Sequence, residues 1–321
     1  MFMNGFLIKA LDCFFATRPL LLVPVWGYSI LGLFRAGGAN AFRHWPYFSA
    51  GKQGNAFIWM IVFSFSVSMV YVINQLADIE ADKKNGGLPL IAVGIVSIKA
   101  ATITAVIAGA FSLATPLIFG KFSIALLSAV SMALGALYSC RPMRLSGRPY
   151  LDFLANALGF GIIAFGVGYV CGGKSLLAPR FFTDALPYTL LMCAGSISST
   201  LPDIAGDQSD GKVTTAVKLG KKNAHTLAML FIVAAGVSAG LNHDSVALIC
   251  CGAALPIYIA YAIKPRQKLE EAAYKVGGAI MMLLCAAILP LLVPAALLLF
   301  FATSSYFRIR HKVKYPSLVP E

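Results

Sequence analysis

Long apolar stretches alternate with short polar links along almost the whole chain. Nine stretches approach the ~20 residues that a helix needs to cross a bilayer. They cover about 19–36, 56–77, 98–118, 121–138, 150–171, 184–202, 223–240, 244–263 and 274–304. The ninth is long and interrupted by Pro290 and Pro294, so it fits either one crossing or a short hairpin. Residues 1–17 are mildly amphipathic, with Lys9 and Asp12, and predict an interfacial helix leading into the first span. They lack the charge, short apolar core and small-residue site of a cleavable leader. Glycines and prolines fall within several spans, as is ordinary in membrane helices. The expected architecture is an all-α transmembrane bundle of about nine helices around a central cavity, with residues 1–321 forming one domain.

Composition excludes a soluble globular protein. The chain is 59% hydrophobic and 12% charged, with a mean hydropathy of +0.79. Soluble domains are nearer 45–50% apolar and about 25% charged. The net charge of +13 would suggest nucleic acid in a soluble chain. Here the basic residues lie in loops between apolar runs, where cytoplasmic loops face anionic lipid. No aromatic-interleaved basic groove accompanies them, so membrane lipid and no nucleic acid is expected as a partner.

The same residues set an orientation. With the N-terminus cytoplasmic, one set of loops holds Lys83, Lys84, Lys99, Arg141, Arg144, Arg148, Lys212, Lys218, Lys221 and Lys222, with more at 264–275. The opposite set holds only Arg35, Arg43, Lys52, Lys121, Lys174 and Arg180. The tail (Arg308, Arg310, Lys312, Lys314) breaks this bias if 274–304 crosses once, and keeps it if that stretch is a hairpin. The seven cysteines show no metal-ligand spacing, and the histidines at 44, 225, 243 and 311 form no ligand pair.

Acidic residues are few and concentrated. Of 13 Asp and Glu, six lie in two short stretches: Asp78, Glu80 and Asp82, then Asp203, Asp207 and Asp210. Each stretch directly follows an apolar span. Asn74, Asp78 and Asp82 recur at i, i+4, i+8, on one face of a helix; Glu80 falls off that face. Asp203, Asp207 and Asp210 recur at i, i+4, i+7. Carboxylates at membrane helix ends are costly and tend to be functional. Two such rows meeting in space would repel unless a cation lay between them. Mg²⁺ takes oxygen ligands and completes its shell with substrate phosphates. Two carboxylate rows ringed by basic loops therefore make a candidate Mg²⁺–diphosphate site above an apolar slot for an isoprenoid tail.

These residues resemble the UbiA superfamily of intramembrane prenyltransferases. Its Asn-x-x-x-Asp-x-x-x-Asp motif after the second span matches Asn74, Asp78 and Asp82. Its Asp-x-x-x-Asp motif after the sixth matches Asp203 and Asp207. Arg18-Pro19 looks like the family's basic entry to span one. Tyr138-Ser139 with Arg144-Leu145 is similar to its central loop, and Gly211-Lys212 with Leu219-Gly220 to the tail of its second motif. Asn74-Gln75-Leu76, Asp78-Ile79-Glu80, Asn85 and Leu88-Pro89-Leu90 are closest to the homogentisate prenyltransferase branch. Gly87-Leu88, Ser199-Thr200 and Ser146 stand where that pattern carries basic or charged residues, which leaves Arg148, Lys212 or Lys99 as substitute phosphate contacts.

The resemblance implies that Asn74, Asp78, Asp82, Asp203, Asp207 and Asp210 hold Mg²⁺. It implies that Arg18, Asn74, Arg144 and Lys212 bind substrate, and that Tyr138 borders the reacting carbon. The implied reaction moves a polyprenyl group from an isoprenyl diphosphate to an aromatic acceptor, a quinone or tocopherol precursor, through an allylic carbocation. Alternatives keep the site and change the acceptor to a tetrapyrrole or a non-aromatic molecule, or cyclise the tail. A cation transporter is the reading from another class. Transporter sites lie near the midplane on broken helices, whereas these acids end helices beside basic loops.

Overall fold

The computed structural model describes residues 5–37, 50–84 and 89–316. Arg43, His44 and the 85–88 part of the first-motif resemblance, with Asn85, Gly87 and Leu88, lie outside the described residues. The described chain is helical, and no strand occurs among those residues. In order it forms α1 (Gly5–Ala16), a 3₁₀ turn (Pro19–Leu21), α2 (Leu22–Gly37), α3 (Ala50–Ala77), α4 (Ile79–Lys84), α5 (Ile98–Ile118) and α6 (Phe122–Ser139). Then come α7 (Leu151–Ala157), a π-helical turn (Leu158–Ala164), α8 (Phe165–Cys171), α9 (Pro179–Ser199) and α10 (Ile204–Ser209). The last four are α11 (Thr215–Leu241), α12 (Ser245–Ile263), α13 (Gln267–Ile288) and α14 (Leu292–Tyr306).

Side-chain caps start several of these helices by satisfying amides that have no partner within the helix. Ser97 accepts from the Ala100 amide at 3.2 Å, Asp244 from that of Ala247 at 3.1 Å, and Thr214 from that of Val217 at 3.4 Å.

Nine helical stretches among the described residues are long and apolar enough to cross a membrane. They are not the nine expected. The stretch 274–304 is two helices, α13 and α14, separated at Leu289–Leu291. Helix α9, which covers the sixth expected span, has the length but less apolarity, because it carries Arg180, Asp184 and several Ser and Thr residues. The hairpin is long enough because α13 begins at Gln267, seven residues before the apolar run. Its polar start is satisfied within the protein: the buried Glu270 accepts from Tyr261 Oη at 2.9 Å and pairs with Lys221 at 2.6 Å.

The hairpin settles where the basic tail goes. Tyr306 stacks on Phe15 of α1, with ring centroids 3.9 Å apart. Arg310 makes two hydrogen bonds to the buried Asp12, at 3.1 and 3.2 Å, and Tyr306 Oη donates to it at 2.7 Å. The tail therefore lies at the same end of the bundle as α1. At the opposite end, Arg35 is buried against Asp184 and lies 3.4 Å from Asp244. Tyr188 also donates to Asp244, at 3.0 Å.

Packing runs α2 against α8, α3 against α5 and α6, α9 against α11, and α12 against α11 and α13. Between membrane helices, small residues let backbones approach closely. The α2–α8 crossing shows this: a Cβ on Gly32 would overlap the Phe165 carbonyl, and one on Gly168 would overlap that of Ser29. Helix α5 leaves Ile103, Val106, Ile107 and Phe111 exposed, as a lipid-facing helix would.

Candidate active site

Helix α3 ends at Ala77, the backbone bends at Asp78, and α4 continues. The bend does not scatter the acids. The Asp78 amide still donates to Asn74 O at 3.0 Å, and the Asp82 amide to Asp78 O at 2.8 Å. Asn74, Asp78 and Asp82 therefore keep their i, i+4 row through the bend. Glu80 points elsewhere, exposed and paired with Lys83 at 2.8 Å. In the second motif Asp203 precedes α10, Asp207 lies within it and Asp210 ends it. The Asp207 amide donates to Asp203 O at 2.8 Å. Gly211 then takes a φ of +68°, which costs a residue without Cβ little. That turn brings the Lys212 amide to Asp207 O at 2.9 Å and the Val213 amide to Gly147 O at 3.3 Å. The second motif is thus folded back onto the central loop between α6 and α7.

The two motifs meet at Asp78. Lys212 Nζ lies 3.6 Å from Asp78 Oδ2, and Arg144 Nη2 donates to Asp78 Oδ1 at 2.6 Å. One carboxylate of the first motif is thus held by cations from the central loop and from the second motif. Burial pushes the carboxyls of Asp82, Asp203 and Asp207 above the usual range, and the Lys212 charge pulls all three back. Arg18 pulls on Asp82 as well, and Thr214 donates to Asp207 at 3.2 Å. A cavity of about 580 Å³ opens here, lined by Asp78, Arg144, Arg141, Ser139 and Asp210 among others.

Among the described residues no three carboxylate, His or Cys groups close on one metal position. The donor set nevertheless suits Mg²⁺: five aspartates and an asparagine amide, all hard oxygen donors. That ion is commonly held by one or two carboxylates together with substrate phosphates, without an all-protein cage.

One helical turn deeper lies a second cavity, of about 250 Å³. Arg18, Asn74, Tyr138 and Asn156 form its polar mouth, and Val25, Val67, Val70, Leu134, Phe160 and Ala164 its apolar wall. Asn74 Nδ2 donates to Ser139 Oγ at 3.3 Å. Asn74 lines this cavity and Ser139 the acidic one, so that bond joins the two spaces. Arg18 reaches the mouth from a left-handed backbone position, φ 53°, at the break between α1 and the 3₁₀ turn. Of the proposed substitute phosphate contacts only Lys212 sits at the acids. Arg148 donates to Pro142 O at 2.8 Å, and Lys99 lies on the exposed start of α5.

Three residues without an assigned role in the chain hold the site together. Asn156 of α7 donates to Tyr138 Oη at 3.4 Å and to Ser196 Oγ of α9 at 2.9 Å, fixing the phenol at the mouth. The buried Asp152 accepts from the amide and the hydroxyl of Thr215, at 2.7 and 2.5 Å, and so anchors the chain just after the second motif. Gln75 donates to Ala16 O at 2.8 Å, tying the first motif's helix to the segment that carries Arg18. Asp152 stands out in the sequence as an acid inside an apolar run and Gln75 falls within the first-motif resemblance, whereas Asn156 is an ordinary polar residue near a span end.

The UbiA prenyltransferase family profile matches residues 30–284. A probable homogentisate phytyltransferase 2, chloroplastic, of Oryza sativa subsp. japonica is 32% identical over 199 residues, covering 56% of this chain and 52% of the relative. A 2-acylphloroglucinol 4-prenyltransferase of Humulus lupulus is 28% identical over 193 residues, covering 54% and 45%. The chain spans about half the length of these curated relatives. Among solved structures, a UbiA homolog from Archaeoglobus fulgidus bound to GPP and Mg²⁺ superposes with a TM-score of 0.65 at 17% identity, covering 87% of this chain and 99% of that one. A digeranylgeranylglyceryl phosphate synthase gives 0.59 at 17% identity, covering 90% and 95%. At those identities the superpositions show the fold.

Proposed function

This chain belongs to the UbiA prenyltransferase family, and from that premise we propose that it transfers an isoprenyl group from its diphosphate to an aromatic acceptor within the membrane. The observation that carries this reading is the meeting of both acidic motifs, through Lys212 and Asp78, above an apolar cavity with a polar mouth. Asn74, Asp78 and Asp82 on one row, with Asp203, Asp207 and Asp210 on the other, are the residues that would hold Mg²⁺. Held by these residues, Mg²⁺ would supply positive charge to the diphosphate and so favour its departure. UbiA homologs of the same fold bound to GPP or DMAPP with Mg²⁺ support Mg²⁺ as the ion.

The chain's own groups do the rest. Arg144, Lys212 and Arg18 donate to the diphosphate oxygens as charge builds on them. The apolar wall of the inner cavity takes the tail and keeps water from its first carbon. When the carbon–oxygen bond breaks, the electron pair leaves with diphosphate and an allylic cation remains. A ring carbon of the acceptor bonds to that cation, and the ring then passes its proton to the released diphosphate. Tyr138, held by Asn156, borders the reacting end. Because Lys and Arg concentrate in the loops at this end, it faces the cytoplasm.

The test is purified protein with Mg²⁺, a set of isoprenyl diphosphates and a panel of acceptors, with products weighed by mass spectrometry. The expected product is an aromatic ring bearing one added prenyl group, lost with EDTA and restored by Mg²⁺. Prenylation of only non-aromatic or tetrapyrrole acceptors, or a cyclised tail, would replace the aromatic reading. No consumption of any diphosphate would reject the enzyme reading for this site.

A further inference from the structure

The inner cavity has a floor. Two buried hydrogen bonds cross just beyond its deepest lining residues, Val25, Val67 and Ala164. Trp26 Nε1 donates to Ser64 Oγ at 2.6 Å and ties α2 to α3; Ser29 Oγ donates to Ala164 O at 2.8 Å and ties α2 to the π-helical turn. Below them the Gly32 and Gly168 crossing brings the backbones of α2 and α8 into contact. Opening a deeper channel there would break both bonds and separate two helices.

Depth and volume agree on what fits above that floor. The lining runs from Asn74 to Val67 on α3 and from Tyr138 to Ser131 on α6. Seven residues on each helix give about 10 Å at a rise of 1.5 Å per residue. An isoprene unit adds four chain carbons, about 5 Å at ordinary carbon–carbon bond lengths. The length therefore takes about two units. The volume of about 250 Å³ holds roughly eight carbons, methyl branches included, if each takes the ~30 Å³ of a water molecule. The remaining carbons of a ten-carbon chain are those next to the diphosphate, at the mouth.

We propose that this cavity measures the donor tail, seating two isoprene units, with its floor as the end stop and Gly159 and Phe160 on the π-helical turn governing the room above it. The proposal rests on the prenyl-transfer reading above and narrows its donor. Phe160 fills the wall edge-on to Tyr28, with ring centroids 5.4 Å apart. A Cβ on Gly159 would meet nothing closer than Leu134 Cδ2 at 4.0 Å, so a side chain there has room in the cavity without displacing backbone. π-Helical turns inside longer helices are frequent at functional sites. The two residues act in opposite senses: adding bulk at 159 reduces the space above the floor, and removing the ring at 160 enlarges it.

The test is equilibrium binding, to the full-length protein with Mg²⁺, of unreactive thiolodiphosphate analogues with five-, ten-, fifteen- and twenty-carbon tails. Inorganic diphosphate serves as the head-only probe. The wild type should bind the ten-carbon analogue best. Gly159→Leu should lower the ten-to-five-carbon affinity ratio by about tenfold, and Phe160→Ala should raise the fifteen-to-ten-carbon ratio by about tenfold, the scale of at least one methylene in a fitted pocket. Diphosphate affinity should hold in both variants, which also shows that they are folded. If either variant fails to fold, the wild-type optimum and the other variant still decide the matter. Affinity rising steadily to twenty carbons, or ratios that neither variant moves, would overturn the tail limit and leave prenyl transfer standing. Failure of diphosphate and every analogue to bind the wild type would remove the prenyl reading, and this inference with it.

Discussion

Replacing Lys212 by Met removes a charge that reaches from the second motif to the first and keeps most of the length of the side chain. The Lys212–Asp78 contact is 3.6 Å, and the two side chains are only 17% and 11% exposed. Exposed ion pairs contribute about 0.2–1 kcal/mol, while breaking a buried one costs about 3–5 kcal/mol. This pair lies between them, so roughly 1.5 kcal/mol, or about tenfold in affinity, is at stake. The sign depends on the ligand. Without diphosphate the lysine competes with Mg²⁺ for the carboxylates, so Lys212→Met should bind Mg²⁺ about tenfold more tightly. With diphosphate present the variant has lost a donor to the phosphate oxygens and should bind Mg²⁺–diphosphate about tenfold more weakly. Titration calorimetry on the purified protein reads both constants. If both stay at their wild-type values, or move in the same direction, Lys212 does not bridge the two motifs and the site geometry is wrong.

The α2–α8 crossing and the buried aspartates each carry a further expected outcome. Gly168→Ala should destabilise the protein by at least about 2 kcal/mol, because its methyl group would enter the Ser29 carbonyl; Gly252→Ala, which meets nothing within 4 Å, should stay within about 1 kcal/mol of wild type. Unfolding in mixed detergent separates the two, and equal stabilities would argue against the α2–α8 crossing. For pH, burial raises the carboxyls of Asp82, Asp203 and Asp207. Protons therefore compete with Mg²⁺, and Mg²⁺ affinity should fall on acidification, beginning above the range where an exposed aspartate protonates. A binding curve that stays flat until an ordinary aspartate titrates would contradict this.

Much of the fold was legible in the chain because membrane helices advertise themselves by apolar length. Its errors all arise where polar residues belong to a helix. Helix α11 begins at Thr215, eight residues before the apolar run, because the Thr214 cap and the Asp152–Thr215 bonds satisfy its first turn. Helix α13 begins at Gln267 because Glu270 is paired inside the protein, and those extra residues turn one apparent span into a hairpin. The aspartate rows were legible because i, i+4 spacing survives the bend at Asp78. The inner cavity's floor was not, since it depends on Gly32 meeting Phe165 and on Ser29 reaching Ala164, contacts between segments more than 130 residues apart. Asn156 likewise matters only because α7 packs beside α6 and α9, which a single helix cannot disclose.

A double-mutant cycle on binding of inorganic diphosphate with Mg²⁺ tests most directly whether both acidic motifs grip one ligand. Asp78→Asn and Asp207→Asn should each remove most of the affinity, and the double variant should lose at least about 1 kcal/mol less than the sum of the two. Losses that add to within about 0.5 kcal/mol would mean that the motifs act on separate ligands, and a shared magnesium–diphosphate site would be contradicted.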